Sequence, residues 1–113
     1  MNAQHFHFIG VGGAGMSGIA RIMLAQGSTV SGSDVRQSSV TQLLETLGAK
    51  IFIGHSAENQ QGADFVVVSS AIAESNPELL AARNRGAHIL PRAEALAIEV
   101  HIFFLVPRRL LRS

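Results

Sequence analysis

Gly10, Gly12 and Gly15 of the stretch "GVGGAGMSG" are spaced G-x-G-x-x-G, between a short apolar run and a helical pattern. Glycines at this spacing allow a tight turn and a close approach of main chain to a ligand. The free N–H groups and the positive end of the helix that follows favour a bound diphosphate. The same glycines also permit plain close packing of strand on helix, so the motif takes its meaning from its place between the two. Asp34 stands 19 positions after Gly15 and ends the next strand-like stretch. Dinucleotide-binding folds set an acid there to accept hydrogen bonds from a ribose. Its simpler reading is turn chemistry in the polar segment "SGSDVRQSS". Loop and acid together point to a nucleotide diphosphate without selecting the nucleotide, and NAD is the default.

Three other positions join this set. Ser69 and Ser70 close the fourth apolar run. That is the carboxyl edge of the sheet, where open α/β folds bind ligands, although serines also belong to ordinary loops. His55 follows the third run; its alternative is a lone surface histidine. Arg36 reads as a solvated turn residue. His5, His7, His88 and His101 have no metal-ligand spacing with one another or with carboxylates, so no metal site is expected. The chain has no G-x-x-x-x-G-K-[ST] loop, and its single lysine, Lys50, precedes a strand. No nucleophile stands with a base and an orienting partner, so no catalytic residue is assigned.

These residues need elements to position them. "HFHFIGV" reads as a strand buried on both faces. Met16, Ile19, Met23 and Leu24 repeat at helical spacing after Gly15, and Gly27 closes that helix. "STVSGSD" makes a second strand ending at Asp34. Ser39 and Gln42 fit a capping box for a second helix, with Val40, Leu43, Leu44 and Leu47 on its apolar face and Gly48 at its stop. "AKIFIGH" and the β-branched "DFVVVSSAI" are the third and fourth strands. In "SNPELLAARNRG" Asn76 is the N-cap, Pro77 the first helical residue and Gly86 the stop. "AHILP" is a fifth strand and "RAEALAIE" a short helix. Strands alternating with helices across short loops imply an α/β, Rossmann-like, three-layer domain with a parallel sheet of about five strands.

Composition limits the alternatives. A chain of 113 residues is one domain, and 47% hydrophobic against 15% charged residues argues for a packed fold. Without cysteine there are no disulfides or thiolate metal sites. No apolar run reaches the ~18 residues of a membrane helix and no leader-like segment opens the chain, so a cytoplasmic protein is expected. Residues 1–99 hold six of the nine basic side chains and all eight acidic ones, while residues 100–113 hold three arginines and no acid. There is no cationic face outside that end, and with no Tyr and no Trp, nucleic acid is not an expected partner.

The wording "GVGGAGMSGIA", "VSGSD", "GAKIFIGH", "VVVSSAI", "NPE" and "RAE", in this order, resembles the amino-terminal domain of the UDP-N-acetylmuramate–L-alanine ligases of the Mur ligase family. The resemblance runs from about Phe6 to about Leu96. It implies binding of the UDP end of UDP-N-acetylmuramate, in an ATP- and magnesium-dependent ligase of peptidoglycan precursor synthesis. The main chain of Gly12, Gly13, Ala14, Gly15, Met16 and Ser17 would cradle the diphosphate. Ser33, Asp34, Ser69 and Ser70 would face the uridine, and His55 matches the family's GH. Residues 1–97 are thus expected as the binding domain, and residues 98–113, "IEVHIFFLVPRRLLRS", as an atypical tail, out of frame or artificial. The family's GTHGKT loop is not in this sequence, so the chain alone is expected to be catalytically inactive and to hold no cofactor, ATP and magnesium belonging to the full ligase. Two other readings stand beside this one: an NAD-binding domain of an oxidoreductase or sensor, and a fragment that associates through a sheet edge or its apolar end as a homo-oligomer.

Overall fold

The computed structural model describes residues 4–95 and 97. In chain order the strands are β1 (His5–Ile9), β2 (Thr29–Asp34), β3 (Lys50–Ile53), β4 (Phe65–Val68) and β5 (His88–Pro91). The helices are α1 (Met16–Ala25), α2 (Ser39–Thr46) and α3 (Pro77–Asn84), with a short 3₁₀ helix at Ala57–Gln60. Residues 92–95 begin a further helical segment. The proposed tail at 98–113 lies outside the described residues.

All four strand pairings are parallel, in the order β3-β2-β1-β4-β5. This is the α/β parallel sheet that the alternation of elements implies. The chain leaves β1 toward one edge and returns to β4 on the other side, so the loops after β1 and β4 diverge at the centre of the sheet. A crevice opens at such a reversal.

Side chains alternate across the strands and build two cores. Phe6, Phe8, Val30, Val67 and Leu90 face α1 and α2, where Met16, Ile19, Met23 and Leu44 cover them. Ile9 and Val66 point to the other face, under Leu79 and Ala82 of α3. Phe6 and Phe65 stack at a centroid distance of 4.9 Å. The run in β1 is buried on both faces as its composition requires, but one of its buried residues, His7, is polar.

Helix boundaries follow the caps. Asn76 accepts hydrogen bonds from the amides of Glu78 and Leu79, with Pro77 behind it, so α3 begins where its sequence places it. For α2 the expected Ser39–Gln42 box is corrected: the cap is Ser38, whose hydroxyl accepts from the Thr41 amide while Thr41 Oγ1 accepts from the Ser38 amide. Threonine answers the cap as well as glutamine does, which moves the start by one residue. The apolar face of α2 is also narrower than expected. Leu44 is buried, whereas Leu43 and Leu47 are 42% and 47% exposed, and Thr41 takes a buried place instead.

Candidate functional site

The loop from Gly10 to Gly15 is held by the end of β2. The amides of Gly10 and Val11 both donate to the Ser33 carbonyl, at 2.8 and 2.9 Å. The Gly12 amide donates to Asp34 Oδ2 at 2.8 Å. A Cβ on Gly12 would stand 2.9 Å from that same oxygen, so only glycine permits the bond without a shift. Gly15 is the N-cap residue of α1 at a φ of 80°, a left-handed conformation that favours glycine.

This geometry leaves donors free. Helices α2 and α3 carry side-chain caps, but α1 has none and no acid in its first turn. The amides of Ala14, Gly15 and Ser17 have no main-chain partner among the described residues. Three N–H groups at a positive helix end, in a loop of exposed small residues, form a ready anion cradle. The Met16 side chain is buried in the core and its amide donates to the Gly13 carbonyl at 3.1 Å; the Gly12 and Gly13 amides are likewise taken, so these three expected positions add no free donor.

The other wall comes from the loop after β4. Ser69 and Ser70 line a cleft of about 520 Å³ with Val68, Ile72, Pro91 and Arg92. Ile72 packs over Gly10, where a Cβ would meet its Cδ1 at 3.2 Å. The Arg92 guanidinium lies over Gly15, its Nη1 at 2.9 Å from where a Cβ would stand. A cation beside an uncapped helix start completes the electrostatics of an anion site. Arg92 was not legible as a site residue, because its reach across to Gly15 is a tertiary contact.

Ser33 and His55 belong to a buried network between the sheet and α3. Its hub is Glu78, fully buried at the second position of α3. Glu78 Oε1 accepts from His7 Nε2 at 2.6 Å and from Ser33 Oγ at 2.8 Å. Oε2 accepts from His55 Nδ1 at 3.0 Å, Asn59 Nδ2 at 3.0 Å and the Ser56 amide at 3.2 Å. Burial opposes ionisation of this carboxyl, but the hydrogen bonds from His7, Ser33 and Asn59 outweigh it and hold the pKa at about 2. His7 Nδ1 meets Ser31 Oγ at 2.7 Å, and Ser31 Oγ meets His5 Nε2 at 2.8 Å. The Ser33 hydroxyl is therefore turned inward. His55 is no loose surface residue, its side chain being only 18% exposed.

No local pattern marks Glu78 for this role, since an acid in the first turn of a helix already has a reason to be there. Among the described residues no group of three His, Asp or Glu side chains is placed to hold a metal ion. No helix among them is long and apolar enough to cross a membrane.

Residues 5–103 match the family model described as "Mur ligase family, catalytic domain". The chain belongs to the Mur ligase family. Its curated relatives include UDP-N-acetylmuramate–L-alanine ligases from Desulfosudis oleivorans, 59% identical over 86% of this chain, and from Thermobifida fusca, 61% identical over 80%. It spans about a fifth of their length, 21% and 19% respectively. A solved UDP-N-acetylmuramate-alanine ligase from Thermotoga maritima has the same fold, with a TM-score of 0.81 at 34% identity, covering 86% of this chain and 23% of its own. The Mur ligase resemblance carried by the glycine loop and the strands after it is thus borne out.

Proposed function

We propose that this chain binds the UDP moiety of UDP-N-acetylmuramate, as the amino-terminal domain of the ligase that adds L-alanine in peptidoglycan precursor synthesis. One observation carries the reading: the free amides of Ala14, Gly15 and Ser17 stand beside Arg92, in a member of a family whose curated relatives are named for that substrate. The diphosphate would lie on those amides. The uridine would face Asp34, Ser69, Ser70 and His55, and the muramate end would extend past the carboxyl edge of the sheet.

The described residues supply binding and orientation, not the ligation chemistry. ATP and magnesium do not fit them. The only lysine, Lys50, opens the edge strand β3 with its Nζ 5.4 Å from the Phe52 ring centre, and among the described residues no carboxylate cluster is placed to hold a cation. ATP-dependent activation belongs to the remaining length of the full ligase, as do its roles in cell shape and division, in the cytoplasm.

Amide NMR of the labelled chain, titrated with UDP-N-acetylmuramate and separately with NAD, tests this. Shifts at residues 12–17, Asp34, Ser69 and Ser70 with the UDP sugar alone are expected. Shifts with NAD alone would replace the reading by the nicotinamide one.

A further inference from the structure

The hydrogen bonds around His55 leave it one polarity. Its Nδ1 has two neighbours, Glu78 Oε2 at 3.0 Å and Ser33 Oγ at 3.1 Å. The carboxylate can only accept. Ser33 has already given its proton to Glu78 Oε1, at 2.8 Å, and so it too can only accept from the ring. Nδ1 must therefore carry a proton, and in the neutral ring Nε2 is left as a bare acceptor. Nε2 has no partner among the described residues, and no unpartnered side-chain nitrogen or oxygen among them is buried, so Nε2 is open to solvent. The loop that carries it is tied to the binding edge, because the Gly54 amide donates to the Asp34 carbonyl at 2.7 Å.

We propose that Glu78 is a positioning residue that fixes His55 as a hydrogen-bond acceptor, so that Nε2 selects a nucleoside N–H or O–H rather than a phosphate oxygen. This rests on the reading under Proposed function and gives that site a polarity: the uracil imide or a ribose hydroxyl meets His55, and the diphosphate stays with the amides of α1. A histidine turned the other way, or doubly protonated, would favour the phosphates instead. The distinction carries a pH sign. Protonating the ring converts Nε2 from acceptor to donor, so binding is expected to be weaker in acid than at pH 8. Its Nδ1 meets Glu78 on α3, with His7 on β1 across the same carboxylate; Glu58 on the 3₁₀ helix bonds the neighbouring Ser56, and Asp34 at the end of β2 bonds Gly54 through its carbonyl.

Long-range ¹H–¹⁵N NMR of the imidazoles in the free 113-residue chain, together with UDP-N-acetylmuramate affinity from pH 8 to pH 5, decides it. The Nδ1–H tautomer is expected at high pH, with affinity falling toward pH 5. His55→Asn is expected to lose about tenfold in affinity at pH 8, the worth of one hydrogen bond, and to flatten the profile. Glu78→Gln takes away the carboxylate that the Nδ1–H donates to. In that variant the preference for the Nδ1–H tautomer is expected to weaken, with affinity at pH 8 falling alongside it. An unchanged tautomer in the folded variant would overturn the proposal. A dominant Nε2–H tautomer, or affinity that rises as pH falls, would overturn it as well. If the tautomer is as expected but no UDP sugar binds at any pH, the reading under Proposed function fails instead.

Discussion

Gly12 and Asp34, 22 positions apart, are joined by a 2.8 Å hydrogen bond from amide to carboxylate, and the space for that bond exists only because Gly12 has no side chain. Asp34 Oδ1 also accepts from the Val35 amide at 2.8 Å. One carboxylate thus fixes both the glycine loop and the turn after β2, so its first role is to shape the site. Replacing Asp34 by Ala removes a charge-assisted acceptor worth about 1.5–3 kcal/mol. UDP-N-acetylmuramate affinity should fall roughly tenfold or more. Calorimetric titration beside a thermal melt checks this, and unchanged affinity in a folded variant would refute the role.

Gly32 of β2 lies against Val11 with no room to spare. A Cβ there would stand 2.7 Å from the Val11 Cβ, a clash with atoms that cannot swing aside. Gly32→Ala should cost about 1–3 kcal/mol through overpacking beneath the binding loop. The double variant Gly32→Ala/Val11→Gly, which removes the opposing Cβ, should recover part of that loss relative to additivity of the single changes, which a double-mutant cycle of urea denaturation measures.

Acid should loosen the face of the sheet under α3. The Glu78 carboxyl is held down at about 2 against a reference of 4.5. A lowered carboxyl pKa contributes stability above the unfolded value, and that stability is lost as pH falls from about 4.5 toward 2. The full contribution is on the order of 3 kcal/mol. His5 adds to it with the same sign, because burial lowers its pKa and the unfolded chain takes up the proton more readily. Urea melts between pH 7 and pH 2 should show this loss, and Glu78→Gln should remove most of its dependence on pH below 4.5.

The alternation of strands and helices was legible because local signals agree: β-branched runs, glycine stops, and an Asn76–Pro77 start that the structure reproduces. The glycine loop was legible for the same reason, since its spacing and its flanking elements coincide. Glu78 was not legible. An acid at that place is ordinary for a helix, and only the fold brings His7, Ser33, His55 and Asn59 around it from four other segments. His7 shows the same limit, because an apolar strand pattern does not say which of its residues has a polar partner across the sheet.

The α2 start separates two local readings one residue apart. Since Ser38 and not Ser39 caps the helix, Ser38→Ala should cost about 1 kcal/mol, while Ser39→Ala should stay within about 0.5 kcal/mol. Equal losses in thermal melts of the two variants would contradict the cap seen here.

Arg92 offers the sharpest electrostatic test of the anion cradle. Its guanidinium lies over Gly15 and is exposed, so it contributes little to folding, yet it stands where a diphosphate would meet the free amides of α1. Arg92→Ala should leave the melting temperature within about a degree or two, as exposed substitutions do. UDP-N-acetylmuramate affinity should drop by about tenfold at low salt, and the drop should shrink as salt screens the charge. Arg92→Lys should recover part of the affinity but not all, because a point charge cannot reproduce the bidentate fork. A loss that did not depend on salt would mean that Arg92 acts by packing on the glycine loop, and the diphosphate would then be held by the amides alone.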